Sequence, residues 1–284
     1  MIASARPFPP EVVAEFAQAT VGRGYQIIYG PGAPIRNPIA ELIAAVHAET
    51  PDALVLVDSV SALGAVPFAM DEWGADVVVT GSQKAWMAAP GLAMAAASER
   101  AWAAMETARM PRFYLDLRNH RDSAARGETP WTPAVGVVFQ VDEGIKLMTA
   151  EGAANVFARH RACAAATRAG LEALGFELFA DPADRSPTVT AAWIPEGLDW
   201  KAFNGELRRR GLVLAGGQGK LAGRIFRIGH LGSVTVDEIL GAIATLEAVS
   251  AQVGRPVHVG AGIAAAQVAA LAAGASEPAV PAGA

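Results

Sequence analysis

Val77-Val78-Val79-Thr80-Gly81-Ser82-Gln83-Lys84-Ala85-Trp86 decides the fold: an apolar, β-branched run stops at a small polar turn, and a lysine follows at once. The run has the composition of a buried strand. A lysine at such a place loses hydration, which costs free energy unless its stem lets the ammonium reach water. It is chemically useful there if burial lowers its pKa and the neutral amine attacks a carbonyl. Lys84 is therefore either a Schiff-base nucleophile or a lysine snorkelling at a strand end.

The same pattern repeats upstream. Ala53-Leu54-Val55-Leu56-Val57 is apolar throughout, as in a parallel strand covered on both faces, and ends in Asp58. Ahead of it, Asn37-Pro38-Ile39 predicts an N-cap with proline at the first helical position, and Ile39, Leu42, Ile43 and Val46 recur at helical spacing. Leu92–Ala97 is a further apolar run, followed by a helix start at Ser98-Glu99-Arg100. This alternation predicts an α/β fold with a mostly parallel sheet. Ligands of open α/β sheets bind at the carboxyl ends of the strands, where both Asp58 and Lys84 fall. A carboxylate and a lysine there suit a pyridoxal phosphate site, the lysine holding the aldehyde as an imine and the aspartate the protonated ring nitrogen. A structural Asp58–Lys84 salt bridge is the plain alternative.

Working outward, residues 1–38 are crowded with Gly22, Gly24, Gly30, Pro31, Gly32, Pro34 and Pro38 and read mostly as loop, with one strand at Tyr25–Tyr29 and an opening helix after Pro9-Pro10. Residues 111–136 read as a long irregular link. Two helices are expected at Val135–Thr149 and Glu151–Leu174, the second stopped by Gly175. The rest reads α+β: strands at Phe176–Phe179, Thr188–Trp193, Leu212–Ala215 and Ile225–Gly229, and helices at Asp199–Arg210 and Val236–Val249. The divisions expected are an incomplete large domain over 1–150, a small α+β domain over 151–252, and an Ala/Gly/Pro-rich tail over 253–284. In that tail a weak helix at Ile263–Leu271 precedes a disordered end.

Composition narrows the function. The chain has 284 residues, 52% hydrophobic, with net charge −5, which gives no electrostatic case for nucleic acid. Arg208-Arg209-Arg210 sits at an expected helix C-terminus, where cations are favoured. The single cysteine, Cys163, permits no intrachain disulfide and lies in a helical run as a small core residue. The five histidines lack metal-ligand spacing, so no metal is expected; no apolar segment has membrane-spanning length, and a cytoplasmic protein is expected. Gly216–Gly223 is rich in glycine, but a strand rather than a helix follows it, so a hairpin turn is expected instead of a phosphate loop. Arg227 alternates within an apolar strand and needs an anion, either a bound carboxylate or an internal ion pair.

Taken in order, Val57-Asp58-Ser59-Val60-Ser61-Ala62-Leu63-Gly64, Thr80–Ala85, Phe113-Tyr114-Leu115-Asp116, Pro187–Thr190 and Phe226-Arg227-Ile228-Gly229-His230-Leu231-Gly232 resemble the class V pyridoxal-phosphate aminotransferases. The similarity is to the alanine–glyoxylate and serine–pyruvate branch, from about Asn37 to about Ala251. It implies a fold-type I large domain and transamination between a small amino acid and a 2-keto acid such as glyoxylate or pyruvate. By position it implies that Lys84 is the Schiff-base lysine and proton carrier, Asp58 the ring-nitrogen partner, and Val60 the apolar residue against one ring face. Gln83 and Ser82 match groups near the cofactor phosphate or hydroxyl, and Arg227 the arginine that holds the substrate carboxylate. The family's partner-subunit phosphate loop matches Trp131-Thr132-Pro133, with Thr132 or Thr129 as its hydroxyl, and implies a homodimer with shared active sites. The departures also count. The family's His-x-Glu-Thr/Ser-Ser-Thr-Gly stretch corresponds to Tyr29–Pro38, which lacks the hydroxyls, and the phosphate-cradling N-terminal part has no counterpart in residues 1–36. An N-terminally truncated member is expected, acting either as a transaminase or as a remnant that folds or dimerises but binds the cofactor weakly. Cysteine desulfurase chemistry, from the same superfamily, ranks below both because Cys163 lies in a helix.

Overall fold

The computed structural model describes residues 25–29, by their backbone, and 35–275. The expected opening helix, residues 30–34 of the Tyr29–Pro38 stretch and the end of the tail beyond Ala275 lie outside the described residues.

The first unit is a mixed sheet in the order β1-β2-β3-β4, built from Tyr25–Tyr29, Leu54–Asp58, Val77–Gly81 and Ala93–Ala97. β1, β2 and β3 are parallel, with Ile27 opposite Leu56 and Asp58 opposite Val79; β4 runs antiparallel to β3. Helix α1 (Ile39–Glu49) lays Ile39, Leu42, Ile43 and Val46 on Val55, Val57 and Val78. Its N-cap is Pro38, without a side-chain cap, so the proline sits one position earlier than expected. The expectation that β2 is covered on both faces also needs correction. Burial alternates: Val55 and Val57 face α1, while Leu54, Leu56 and Asp58 are only half-buried.

The amino end of this sheet is locked by charge. Buried Asp76, just before β3, accepts from Val55 N (2.8 Å), Ser98 Oγ (3.0 Å) and Arg100 Nε (3.0 Å). Arg100 also donates to the carbonyls of Pro51 and Ala53. After α2 (Met70–Trp73) and α3 (Glu99–Thr107), the expected irregular link contains a helix, α4 (Leu117–Ala124). It has almost no apolar residues, hence no periodicity to read; Asp116 caps it and pairs with Arg112 and Arg118. The Arg118 guanidinium beside Asp116 holds that carboxyl well below the usual range. Helix α5 (Val135–Glu151) then crosses behind the Lys84 turn.

The second unit follows a break at Gly152, whose φ is +86°. Helix α6 (Ala153–Ala173) lies beside an antiparallel sheet of order β5-β7-β6, formed by Val189–Trp193, Ile225–Gly229 and Ala215–Gly216. The expected strand at Phe176–Phe179 is reduced to one bridge, Leu178 to Ala192, and that at Leu212–Ala215 shrinks to the two residues of β6. Helices α7 (Trp200–Arg209) and α8 (Val236–Gln252) complete a core of Phe176, Phe203, Phe226, Leu171, Leu174, Leu207, Ile243 and Leu246. Gly170 lets α6 approach α8, because a Cβ there would stand 2.8 Å from Ile243. The basic run at the end of α7 is partly paired, Arg209 and Arg210 both reaching Glu206.

The expected tail is also different. A fifteen-residue helix, α9 (Ala261–Ala275), packs against α6 and α8 and buries Ala266 and Ala270. The carboxylate of Glu247 accepts from the backbone of Gly260 and Gly262 at its start. This anion satisfies orphan donors at a helix N-terminus. An alanine-rich segment without amphipathic contrast is thus ordered by a partner on another helix, which sequence periodicity cannot report.

A candidate active site at the carboxyl edge of the sheet

The topology brings Asp58 and Lys84 to the same edge, on adjacent parallel strands. Asp58 spends Oδ1 on Val60 N (3.0 Å). Its other oxygen has no hydrogen-bond or ion-pair partner among the described residues, and neither does Lys84 Nζ. The Asp58–Lys84 salt bridge is therefore not formed. Ser59 between them is fully buried, donates its N–H to Val79 O (2.9 Å), and leaves its hydroxyl unpartnered. Val60 is half-buried and Gln83 exposed.

Lys84 rides on a tight turn. Met87 N donates to Lys84 O and Ala88 N to Ser82 O, both at 3.1 Å. Ser82 Oγ donates to Ala89 O (2.7 Å) and accepts from Leu92 N (3.2 Å), so the Ser82 hydroxyl closes the loop rather than facing the edge. Trp86 Nε1 reaches Thr80 Oγ1 (3.2 Å). Met87 has φ +62°, a conformation uncommon for a residue with a side chain.

Three glycines from distant segments make room for this turn. A Cβ on Gly144 of α5 would stand 2.3 Å from Trp86 O. One on Gly64, after β2, would meet Ala85 Cβ at 3.2 Å, and one on Gly232, after β7, would meet Met87 Cγ at 3.2 Å and Lys84 O at 3.5 Å. Sequence reading missed all three roles. A glycine inside a helix costs about 1 kcal/mol against alanine, so Gly144 carried a signal, but its partner lies 58 residues away.

Arg227 occupies the centre of β7, opposite Ala191 and Ala215. Its Nε donates to Gly216 O (2.9 Å). It has no carboxylate partner among the described residues, so the internal ion pair is not made. Beyond it, His230 is buried and shares a hydrogen bond with Thr190 Oγ1 through Nε2 (2.8 Å); burial pushes its pKa down to about 3. The Gly232 turn lies against α6, where Arg159 and His160 reach it. Burial likewise lowers the pKa of His160, and it raises that of the Cys163 thiol to about 11. A thiol so held is no nucleophile near neutral pH.

In the loop before α5, Thr129 Oγ1 donates to Trp131 O (2.8 Å), whereas the exposed Thr132 leaves its hydroxyl without a partner among the described residues. Trp131 packs on Phe113 and Tyr114, which are themselves exposed. Among the described residues there is no cluster fit for a metal and no helix long and apolar enough to cross a membrane.

Residues 32–226 match the family model described as aminotransferase class-V. The chain is 46% identical over 216 residues to the soluble hydrogenase small subunit of Synechococcus sp. (strain PCC 6716), across 75% of this chain and 56% of that one. It is 43% identical over 235 residues to the L-aspartate–glyoxylate aminotransferase of Paracoccus denitrificans, across 82% of this chain and 59% of the relative. The chain thus spans somewhat over half the length of these two relatives. Among solved structures, pyridoxamine–pyruvate aminotransferase from Mesorhizobium loti superposes with a TM-score of 0.88 at 33% identity, across 95% of this chain and 71% of that one.

Proposed function

The chain belongs to the class-V aminotransferase family, and from that premise we propose that it carries the lysine, carboxylate and substrate arginine of a pyridoxal-phosphate-dependent transamination. The substrates proposed are a small amino acid, such as alanine or serine, and a 2-keto acid such as glyoxylate or pyruvate. One observation carries this reading: Asp58, Lys84 and Arg227 have no counter-ion among the described residues, although all lie on strands or at the turn that ends one. Half-buried ionic groups are normally paired. This set fits a ligand with a carbonyl for the amine and a protonated ring nitrogen for the aspartate, together with a substrate whose carboxylate takes the guanidinium.

Pyridoxal phosphate, when bound, supplies an aldehyde and an electron sink. Lys84 brings the nucleophile and, at Nζ, a base that can move a proton. Asp58 would hold the ring-nitrogen proton through its unspent oxygen. Val60 offers an apolar surface and Gln83 an exposed amide, while Ser82 has already committed its hydroxyl. Arg227 is suited to hold a substrate carboxylate through the guanidinium nitrogens it has not used on Gly216. The proposed partner is a second copy of the chain, with Thr132 reaching the neighbouring site. Support comes from its unspent hydroxyl and from the apolar surface beside it, where Phe113 and Tyr114 pack on Trp131 and are 71% and 61% exposed. The compartment proposed is the cytoplasm, which suits a single buried free thiol. The same apolar surface favours a second reading, a chain that dimerises without catalysis.

Borohydride trapping of the chain with pyridoxal phosphate, followed by mass spectrometry, separates the two. A phosphopyridoxyl adduct is expected on Lys84 and absent from Lys84→Ala. Equal labelling of both would end the Schiff-base role, and dimers without any adduct would favour the second reading. For Arg227→Ala, the KM for the keto acid should rise roughly tenfold to a hundredfold, the value of a lost charged hydrogen-bond pair. An unchanged KM would remove Arg227 from the site.

A further inference from the structure

The turn after β7 is gripped from behind by two consecutive residues of α6. Arg159 forks: Nε and Nη2 bind the two oxygens of Glu151 at 2.7 and 2.8 Å, and Nη1 donates to Gly232 O and Val234 O, each at 2.8 Å. His160 Nδ1 lies 2.6 Å from Val156 O, an acceptor, so this nitrogen carries the proton. Nε2 is then free to accept from Gly232 N at 3.1 Å. Both backbone polar groups of Gly232 are thereby fixed by α6. The other side of the same glycine is closed as well. With φ at +81°, a conformation that disfavours a side chain, it packs closely: a Cβ there would crowd Met87 Cγ at 3.2 Å and stand 3.5 Å from Lys84 O. Met87 is itself in the left-handed region, a conformation that persists only when its surroundings enforce it.

We infer that Arg159 and His160 are positioning residues for Lys84: by fixing the Gly232 turn from behind, they hold the lysine turn against it, so that the amine and the Arg227 strand keep one relative placement. Their hydrogen bonds go to Glu151, Val156 and the backbone of the Gly232 turn. Glu151 belongs to the device, because it binds the rest of the planar Arg159 fork and so orients it toward the two carbonyls. The chain thus joins its two units through backbone groups on one side of a glycine and van der Waals contact on the other. The significance for catalysis rests on the proposed roles of Lys84 and Arg227; the mechanical coupling does not.

Amide hydrogen exchange on the full chain, read residue by residue, tests it. Arg159→Met and His160→Leu are expected to speed exchange roughly tenfold at Gly232 and at Met87 and Ala88, the scale of one lost charged or buried hydrogen bond. The β5 ladder should keep its protection. His160→Gln, whose side-chain oxygen can stand where Nε2 stood, should restore protection at both turns. Arg159→Lys, which keeps a charge for Glu151 but cannot fork, should give an intermediate effect and serves if the methionine variant fails to fold. A second readout is the rate of Lys84 acetylation by acetic anhydride at one fixed pH, followed by mass spectrometry. It should shift in the Leu and Met variants and return with Gln. Faster exchange at Gly232 with wild-type behaviour at Met87, Ala88 and Lys84 would overturn the inference, as would loosening that spreads equally to β5. Absence of borohydride trapping at Lys84 would instead end the proposed function, with the exchange coupling still measurable.

Discussion

The two units of this chain are held together by different means. The C-terminal one is a closed hydrophobic body in which Phe176, Phe203 and Phe226 are nearly or fully buried and Trp200 stacks on Phe226 with centroids 5.1 Å apart. The sheet unit is thin. One helix covers one face with small aliphatic residues, the other face leaves Leu54 and Leu56 half-covered, and Val79 is 37% exposed. What organises it is polar: the Asp76–Arg100 lock at its amino end. At its carboxyl end Asp58 is left with an unspent oxygen. Two aspartates of one sheet thus have opposite fates. The satisfied one stabilises the sheet, and the other is the proposed partner of the ring nitrogen. Asp58 and Lys84, two of the proposed site residues, lie on the thin unit, and Arg227, the third, lies on a strand of the dense one.

The largest expected effect tests the density contrast directly. Phe226→Ala should cost roughly 3–5 kcal/mol, and Leu56→Ala only about 1–2 kcal/mol, since a half-buried side chain gains less from burial. Urea denaturation followed by tryptophan fluorescence measures both, and equal costs would remove the contrast. Acid comes next. The buried imidazole of His230 has its pKa pushed down from 6.5 to about 3, and His160 is shifted in the same direction. Between those values the unfolded chain binds a proton that the folded chain refuses, so stability is whole above pH 6.5 and falls as pH drops toward 3. The C-terminal unit should lose a few kcal/mol at most over that range, and His230→Gln should flatten the slope. Urea midpoints at pH 7 and pH 5 decide it; a steeper loss in the sheet unit than in the C-terminal unit over this interval would contradict it. The third effect concerns the seam. Gly144→Ala should cost about 1–3 kcal/mol by overpacking Trp86 and reduce pyridoxal-phosphate trapping on Lys84. Gly136→Ala, where a Cβ meets nothing within 4 Å, should be neutral or stabilise by up to about 1 kcal/mol.

Much of this was legible before any coordinates. Asp58, Lys84 and Arg227 stand out because each interrupts an apolar β-branched run with a charge, and strand order then places two of them on one edge. What covers a strand is not written in the strand: Ala53–Val57 is apolar throughout, yet its faces differ because α1 covers only one. Helix α4 was invisible because its stability comes from the Asp116 cap and arginine pairs rather than from an apolar face. Helix α9 was underestimated for the opposite reason, an all-round small apolar sequence that Glu247 anchors from another element. The glycines at 64, 144 and 232 were unreadable in role, since each is defined by a neighbour far along the chain.

The close of the C-terminal unit by α8 and α9 has a practical consequence for anyone preparing this protein. The family match ends at residue 226, inside β7, whereas Ile228, Ile239, Ile243, Leu246, Val249, Ala266 and Ala270 of the same core all lie beyond it. An expression boundary drawn at the end of the match would sever a strand two residues into its length and discard seven of the seventeen buried residues of that core. A boundary after Gln252 would keep α8 but strip α9 away, and with it the Gly260 and Gly262 donors of the Glu247 carboxylate. The described core runs through α9, and a preparation that keeps this core includes α9 as well as the matched residues.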